Sequence, residues 1–394
     1  MRDAFLRYQA QTSPHPLLLD IARAEGLYLY DRGGRRYADL IAGLAVTNVG
    51  HRHPHVVAAI KAQVDAYLHV MPYGEFVQGP QVLLAQKLAA RLPDPLDATY
   101  FVNSGAEAIE GALKLAKRVT GRRRLVAADK SYHGSTHGAL SVTGNPTKRE
   151  AFEPLLPGVD FLRYGEPADL RLITEETAGV LLETIQGDAG VRIPPPDYLR
   201  AVRQRCDEVG ALLILDEIQT GMGRTGTLLA FEQFGVVPDV VCLAKALGAG
   251  MPMGAFVASR AHMHTLSHAP MLGHITTFGG HPVCCAAALA GLEVLDSGLL
   301  AEVEAKGRRF GESLRHPLVR EIRQRGLMLA VDLPSPELTY RVVERCIGRG
   351  VLTFYFLSCP ASFRLAPPLT ITEAQIDDSC RIIREVFDEV QAES

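Results

Sequence analysis

Only eight of the 41 basic residues in this 394-residue chain are lysines, and one of them stands where amine chemistry is possible. Lys245 follows the apolar run Val240-Val-Cys-Leu-Ala244 and precedes the bend Leu247-Gly-Ala-Gly250, with no carboxylate within five residues on either side. A lysine held in low dielectric has a depressed pKa and becomes an amine nucleophile near neutral pH; the plainer alternative is a structural lysine. The other seven read as solvated or charge-paired. Lys61, Lys87, Lys114, Lys117 and Lys306 fall on polar helix faces, Lys148 lies in a loop beside Arg149, and Lys130 adjoins Asp129.

Two further segments carry chemistry. In Leu212-Leu-Ile-Leu-Asp-Glu-Ile-Gln219 four apolar residues precede Asp216, which places a carboxylate at the buried end of a strand. Such a carboxylate needs a partner: a cationic ring nitrogen, an arginine, or a helix start that it caps. In Phe101-Val-Asn-Ser-Gly-Ala-Glu-Ala-Ile-Glu110 a strand runs through Asn-Ser-Gly into a helix. The free amides of a helix N-terminus reached through glycine receive phosphate; the alternative is an ordinary helix capped by Ser104 with Glu107 completing a capping box. Amine, strand-end carboxylate and phosphate-type helix start together match pyridoxal phosphate, which needs a trap for its aldehyde, a carboxylate for its pyridine nitrogen and an anion cradle. Gly221-Met-Gly-Arg-Thr-Gly226 spells G-x-G-x-x-G, but it begins about five residues after its strand and is followed by a weak helix start, so it is no dinucleotide fingerprint.

The elements that must position these residues alternate. Strands are expected at Ala98–Val102, Arg124–Ala128, Gly179–Glu183, Leu212–Asp216, Val240–Ala244 and Ala255–Ala258, and helices at Ala106–Thr120, Pro196–Val209 and Pro282–Leu295. Short apolar strands separated by helices predict an α/β fold with a mostly parallel sheet covered on both faces, whose ligands sit beyond the carboxyl ends of the strands. Gly26–Leu40 reads as a hairpin turning at Asp31–Gly34, Leu327–Leu333 as an isolated strand, and the chain from Thr372 as an amphipathic helix. Residues 47–291 are expected to form one large domain, with 1–46 and 292–394 joining in a smaller discontinuous one.

Composition narrows the partners. A net charge of −3 argues against nucleic acid and acidic membranes. No run approaches the roughly 20 uninterrupted apolar residues of a membrane helix, and Met1–Ala10 lacks the apolar core of a secretory signal. Seven cysteines without a C-x-x-C pair predict free thiols and a cytoplasmic setting.

From about Gly26 to Pro368 the chain resembles the class III (omega-amino) aminotransferases of pyridoxal-phosphate fold type I. The resemblance is carried, in order, by Gly50-His-Arg-His-Pro54, Asn103-Ser-Gly-Ala-Glu107, Tyr132-His-Gly134, Asp216-Glu-Ile-Gln-Thr-Gly-Met-Gly-Arg-Thr-Gly226, Leu243-Ala-Lys-Ala-Leu-Gly248, Thr277-Phe-Gly-Gly280 and Phe363-Arg-Leu-Ala-Pro-Pro368. Between Asn103 and Gly226 it looks most like the acetylornithine and ornithine aminotransferases. The resemblance implies a seven-stranded large-domain sheet and a smaller α+β domain. It also implies that Lys245 forms the Schiff base with the cofactor, Asp216 pairs with its pyridine nitrogen, Gln219 bonds its phenolic oxygen and Tyr132 stacks on its ring. Ser104, Gly105 and Ala106 would cradle the phosphate, with His133 and Glu183 in the same cofactor-binding set and no metal. Thr277 would reach the phosphate of the partner subunit, so a homodimer is expected. Arg364 would grip a substrate carboxylate through a bidentate fork; a salt bridge between domains is the alternative role.

Departures from the family pattern fall on the substrate side. Ser135 stands where an arginine usually follows Tyr-His-Gly, and Asp188 where a glutamate usually partners the arginine at 364. His281 replaces an asparagine and Ile275 a glycine. The implied reaction is a ping-pong transamination in which Lys245 serves as general base and then acid, moving an amino group from an omega-amino donor to 2-oxoglutarate or a similar keto acid. Acetylornithine, ornithine, succinylornithine, 4-aminobutyrate and diamines all fit as donors. With Ser135 neutral, Arg163 and Arg192 are candidates to hold a second substrate carboxylate. An aminomutase or a decarboxylating transaminase on the same fold is the alternative, and a non-catalytic ligand-binding protein a more remote one.

Overall fold

The structure, a computed structural model, describes residues 1–393. Its centre is a seven-stranded sheet in the order Ala98–Val102, Gly254–Ala258, Val240–Ala244, Leu212–Asp216, Thr177–Glu183, Arg124–Ala128, Val159–Leu162. Gly254–Ala258 runs antiparallel to both neighbours and the remaining pairs are parallel. Thr177–Glu183, Leu212–Asp216 and Val240–Ala244 are buried along their whole length, as strands covered on both faces must be.

Successive residues of these strands feed two separate cores. Leu181, Ile214, Cys242 and Phe256 pack with Ala108, Ile109, Ala112 and Leu115 of the helix Gly105–Thr120. Leu182, Leu215 and Leu243 pack on the other face with Leu199, Val202 and Cys206 of Tyr198–Val209 and with Cys285 and Ala288 of Pro282–Val294. Close approach of helix and sheet depends on Gly111, where a Cβ would lie 2.3 Å from the Phe256 ring.

Pro282–Ser313 forms one helical run that, by length and composition alone, could cross a membrane, contrary to the sequence expectation. Half of its apolar window is buried in the fold, and its first part packs against Pro54–Ala66 and Gly79–Ala89. It is a core helix, and the small residues of Cys284-Cys-Ala-Ala-Ala288 raise its hydropathy.

The hairpin Tyr28–Asp31/Arg36–Asp39 joins Ile21–Glu25 on one side and Val351–Leu352 on the other. A second small sheet runs Glu321–Arg325, Met328–Asp332, Ser362–Leu365, Phe354–Tyr355, and carries Arg364. The final helix Glu373–Ala392 starts at a capping box between Thr372 and Gln375.

The glycine-rich loop 221–226 works as a structural joint. Arg224 is fully buried within it and donates to the carbonyls of Leu327 (2.8 Å) and Pro367 (2.6 Å) and to the Asn48 side chain. Asn48 in turn donates to the Met222 carbonyl at 2.8 Å. Gly223 and Gly226 take φ of +87° and +100°, which favours glycine. Lys306 also departs from its expected polar helix face. It is buried, donates to the Leu369 carbonyl at 2.9 Å and pairs with Glu302 at 2.7 Å.

Candidate active site

The carboxyl ends of the parallel strands converge on one chamber of about 510 Å³, within the size range of cofactor sites. Ser104, Gly105, Ala106, Tyr132, His133, Glu183, Asp216, Gln219 and Lys245 all line it. They arrive from five strand ends. Asp216 closes Leu212–Asp216, Glu183 closes the adjacent strand and stands opposite Asp216 in register, and Lys245 is the first residue after Val240–Ala244.

Lys245 adopts φ +48°, a left-handed conformation that a lysine tolerates only at a cost. Burial pushes its ammonium below the usual lysine range, against the opposing pull of the Asp216 and Glu183 carboxylates. A neutral amine facing a cavity can attack a carbonyl and can also carry a proton. The run Ala42-Gly-Leu-Ala45 is strained too, with φ of 46°, 60°, 67° and 61°. It sets Val46 in the wall of the Lys245 chamber and Leu44 in the wall of an adjoining cavity.

Asp216 is 5% exposed and pairs with a histidine rather than an arginine. His133 Nδ1 donates to its Oδ2 at 2.7 Å, and the Ile218 amide donates to its Oδ1 at 2.9 Å. His133 is itself buried, and its Nε2 has no hydrogen-bond partner among the described residues. Glu183 accepts from the amides of Tyr132 (3.0 Å) and Gly187 (2.7 Å). Desolvation nevertheless pushes its carboxyl up to about 7.

That shift has a consequence for the cofactor-free protein. Between the unfolded value near 4.5 and about 7 the folded state holds the Glu183 proton more tightly, so its contribution to stability is full below that window and declines as pH rises through it. Glu183→Gln is expected to flatten this decline, measured by urea unfolding of the apoprotein between pH 4.5 and 7.5.

At the phosphate-type helix start, Ser104 caps Gly105–Thr120 by accepting from the Glu107 amide at 3.2 Å. The reciprocal arm of the expected capping box is displaced: Glu107 accepts from the Asn103 amide (2.6 Å) rather than from that of Ser104. A Cβ on Gly105 would lie 2.9 Å from the Ile218 side chain, so the turn packs tightly beside the sheet at this position. Thr277 stands apart. It is exposed, outside the chamber, and 3.5 Å from the Tyr73 hydroxyl.

The adjoining cavity, of about 630 Å³, is lined by Lys245, Gln219, Tyr132, Ser135, Asp188 and Arg364 together with Leu140, Phe152, Phe354 and Leu357. Arg364 donates through Nη2 to Asp188 Oδ1 at 3.1 Å, and each of the two residues is 8% exposed. Arg163 and Arg192 do not reach either cavity. Arg163 grips Asp169 near the surface, while Arg192 bonds Gln186 and the Tyr164 carbonyl. Sequence reasoning missed Lys148, which lies in the short helix Pro146–Arg149, lines this cavity and pairs with Asp188 at 2.8 Å. Its flanking residues gave no signal, because its partner is 40 positions away.

Residues 8–387 match the family model described as aminotransferase class-III. The chain is a class III aminotransferase. It is 42% identical to a putrescine aminotransferase of Pectobacterium atrosepticum over 379 residues, covering 91% of this chain and 80% of that protein. It is 43% identical to an acetylornithine aminotransferase of Mycobacterium tuberculosis over 374 residues, covering 93% and 91%. An ornithine aminotransferase from Toxoplasma gondii has a similar solved structure, with TM-score 0.92 and 30% identity, covering 100% of this chain and 95% of that one. Class III aminotransferases use pyridoxal phosphate and exchange an amino group between an amino donor and a keto acid, and so does this chain.

Proposed function

We propose that this aminotransferase takes an omega-amino donor of the acetylornithine, ornithine, 4-aminobutyrate or diamine type and passes its amino group to 2-oxoglutarate or a similar keto acid by a ping-pong route. The observation that carries this reading is the Arg364–Asp188 pair beside Lys245. An arginine able to bind a carboxylate is masked by a carboxylate of the protein. One chamber can then admit an amine with no neighbouring carboxylate in one half-reaction and a keto acid in the other.

The residues fit the cofactor. Free helix-start amides at Gly105 and Ala106 beside the Ser104 hydroxyl suit its phosphate, Asp216 suits a protonated ring nitrogen, and the unpartnered His133 Nε2 faces an otherwise unmet polar need. Tyr132 and Gln219 would hold the ring and its phenolic oxygen, and Glu183 would fix the Tyr132 backbone. Bound there, pyridoxal phosphate supplies the aldehyde that takes up an amine and the electron sink that acidifies the adjacent C–H bond. Lys245 Nζ would take the proton from the donor carbon and, as the acid, deliver it to the carbon that carried the cofactor aldehyde. His133 fixes the Asp216 carboxylate, and the apolar wall of Leu140, Phe152, Phe354 and Leu357 limits water around the donor chain.

Exposure of Thr277 outside its own chamber supports a homodimer in which it completes the partner's phosphate site. Pairing of Asp39 with Leu352 and docking of Arg364 from the second small sheet support a division into 47–291 and a discontinuous small domain. Seven unpaired cysteines among the described residues support a reducing, cytoplasmic setting.

A panel of N-acetylornithine, ornithine, 4-aminobutyrate and putrescine, each run as a half-reaction and then as full turnover with 2-oxoglutarate, tests this reading. Stoichiometric glutamate formation from at least one donor is expected. Isomerisation or carbon dioxide release without glutamate would overturn it.

A further inference from the structure

The Asp188 carboxylate is surrounded by more donors than one partner for Arg364 requires. Oδ2 accepts from Lys148 Nζ (2.8 Å) and Ser358 Oγ (2.8 Å), while Oδ1 accepts from Arg364 Nη2 (3.1 Å) and the Leu357 amide (3.4 Å). Two cations therefore share one carboxylate. Among the described residues Asp188 is the only acid lining this cavity, against Lys148, Arg364 and the Lys245 amine. The Lys148 side chain is 23% exposed, and its ammonium also lies 4.7 Å from the centre of the ring of Tyr132, a residue that lines both cavities.

A partly buried cluster with one cation in excess has a standing demand for an anion. Ser135 brings no charge to meet a second substrate carboxylate, and Arg163 and Arg192 are engaged elsewhere. We propose that Lys148 is the second carboxylate anchor of this active site, so that Arg364 and Lys148 together hold the two ends of a short dicarboxylic keto acid once Asp188 turns aside. With Asp188 seated, both cations are engaged by one carboxylate and the chamber suits an amine. With Asp188 displaced, both are released for the acceptor. Lys148 thus selects dicarboxylic acceptors over monocarboxylic ones, an inference that rests on the transaminase reading of the chamber.

The test uses the pyridoxal-phosphate-loaded enzyme and two unreactive probes of equal chain length, glutarate and valerate, titrated calorimetrically. The wild type is expected to prefer glutarate. Lys148→Met is expected to lower the glutarate-to-valerate preference about tenfold, the scale of one lost charge-assisted hydrogen bond, while Lys148→Arg retains most of it. In turnover, the loss of kcat/KM in Lys148→Met should be about tenfold greater with 2-oxoglutarate than with pyruvate. Equal losses for both probes, or an unchanged preference, would overturn the proposal and leave Lys148 as a support for Asp188. Lys148→Gln provides the same comparison if the methionine variant is poorly folded. Failure of the wild type to transfer an amino group to either keto acid would instead overturn the transaminase assignment of the chamber.

Discussion

Replacing Lys245 with alanine is expected to lower kcat for amino transfer by about 10⁴-fold or more while leaving the fold intact. The side chain makes no hydrogen bond among the described residues that alanine would orphan, and its strained φ of +48° is not relieved or worsened greatly by truncation. What is lost is a nucleophilic amine and a proton carrier in one group. Positioned proton transfer alone contributes about 10²–10⁴ in rate, and loss of the covalent attachment adds to it. Steady-state turnover with the best donor of the panel, with circular dichroism as the control for folding, measures both halves. Activity within tenfold of wild type would remove Lys245 from the reaction.

Asp216→Asn is expected to give the second largest effect, a fall in kcat of about 10²–10³ with little loss of stability. Asparagine keeps the volume; its Oδ1 can still accept from the Ile218 amide, and its Nδ2 can donate to Nδ1 of a His133 ring protonated at Nε2 instead. It cannot supply the negative charge that holds a proton on a ring nitrogen in a buried site, and fixed charges aimed at a reacting centre are worth about 3–4 kcal/mol there. The arrangement also makes His133→Phe informative: it leaves Asp216 buried without its nearest donor. Pre-steady-state half-reactions should show the Asp216→Asn defect in the proton-transfer step with both donor and acceptor. A defect confined to substrate KM would mean that Asp216 only shapes the chamber.

The contrast between these two residues and Lys148 shows what local sequence can carry. Lys245 and Asp216 each terminate a run of apolar residues, so burial, strand end and chemical anomaly coincide within about five positions. The contact between His133 and Asp216 spans 83 positions and that between Asp188 and Arg364 spans 176, and nothing in either flanking sequence encodes them. The family resemblance implied the pairing of Asp188 with Arg364 but not that of His133 with Asp216, and it left Lys148 as a loop lysine.

The same distinction runs through the fold. Leu212–Asp216 and Val240–Ala244 are continuous apolar runs because both sheet faces are covered. The edge strand Val159–Leu162 was not expected, since Asp160 breaks its apolar run and is tied to Arg124 on the neighbouring strand. A strand was expected at Ala255–Ala258, but its reversal was not. The link Lys245–Met253 is too short for a parallel crossover, which needs a dozen residues or more, so the reversal was in principle readable. Lys306 was misplaced for the opposite reason: its spacing looks polar, but it caps a carbonyl from the remote segment around Leu369.

Borohydride reduction of the cofactor-loaded enzyme, followed by peptide mass mapping, tests the central claim most directly. Reduction fixes the cofactor to whichever amine holds it, and the chain offers eight lysines. A single pyridoxyl adduct on the peptide containing Lys245 is the predicted result, absent from Lys245→Ala. An adduct on another lysine, Lys148 included, or none under conditions where the wild type turns over, would contradict it.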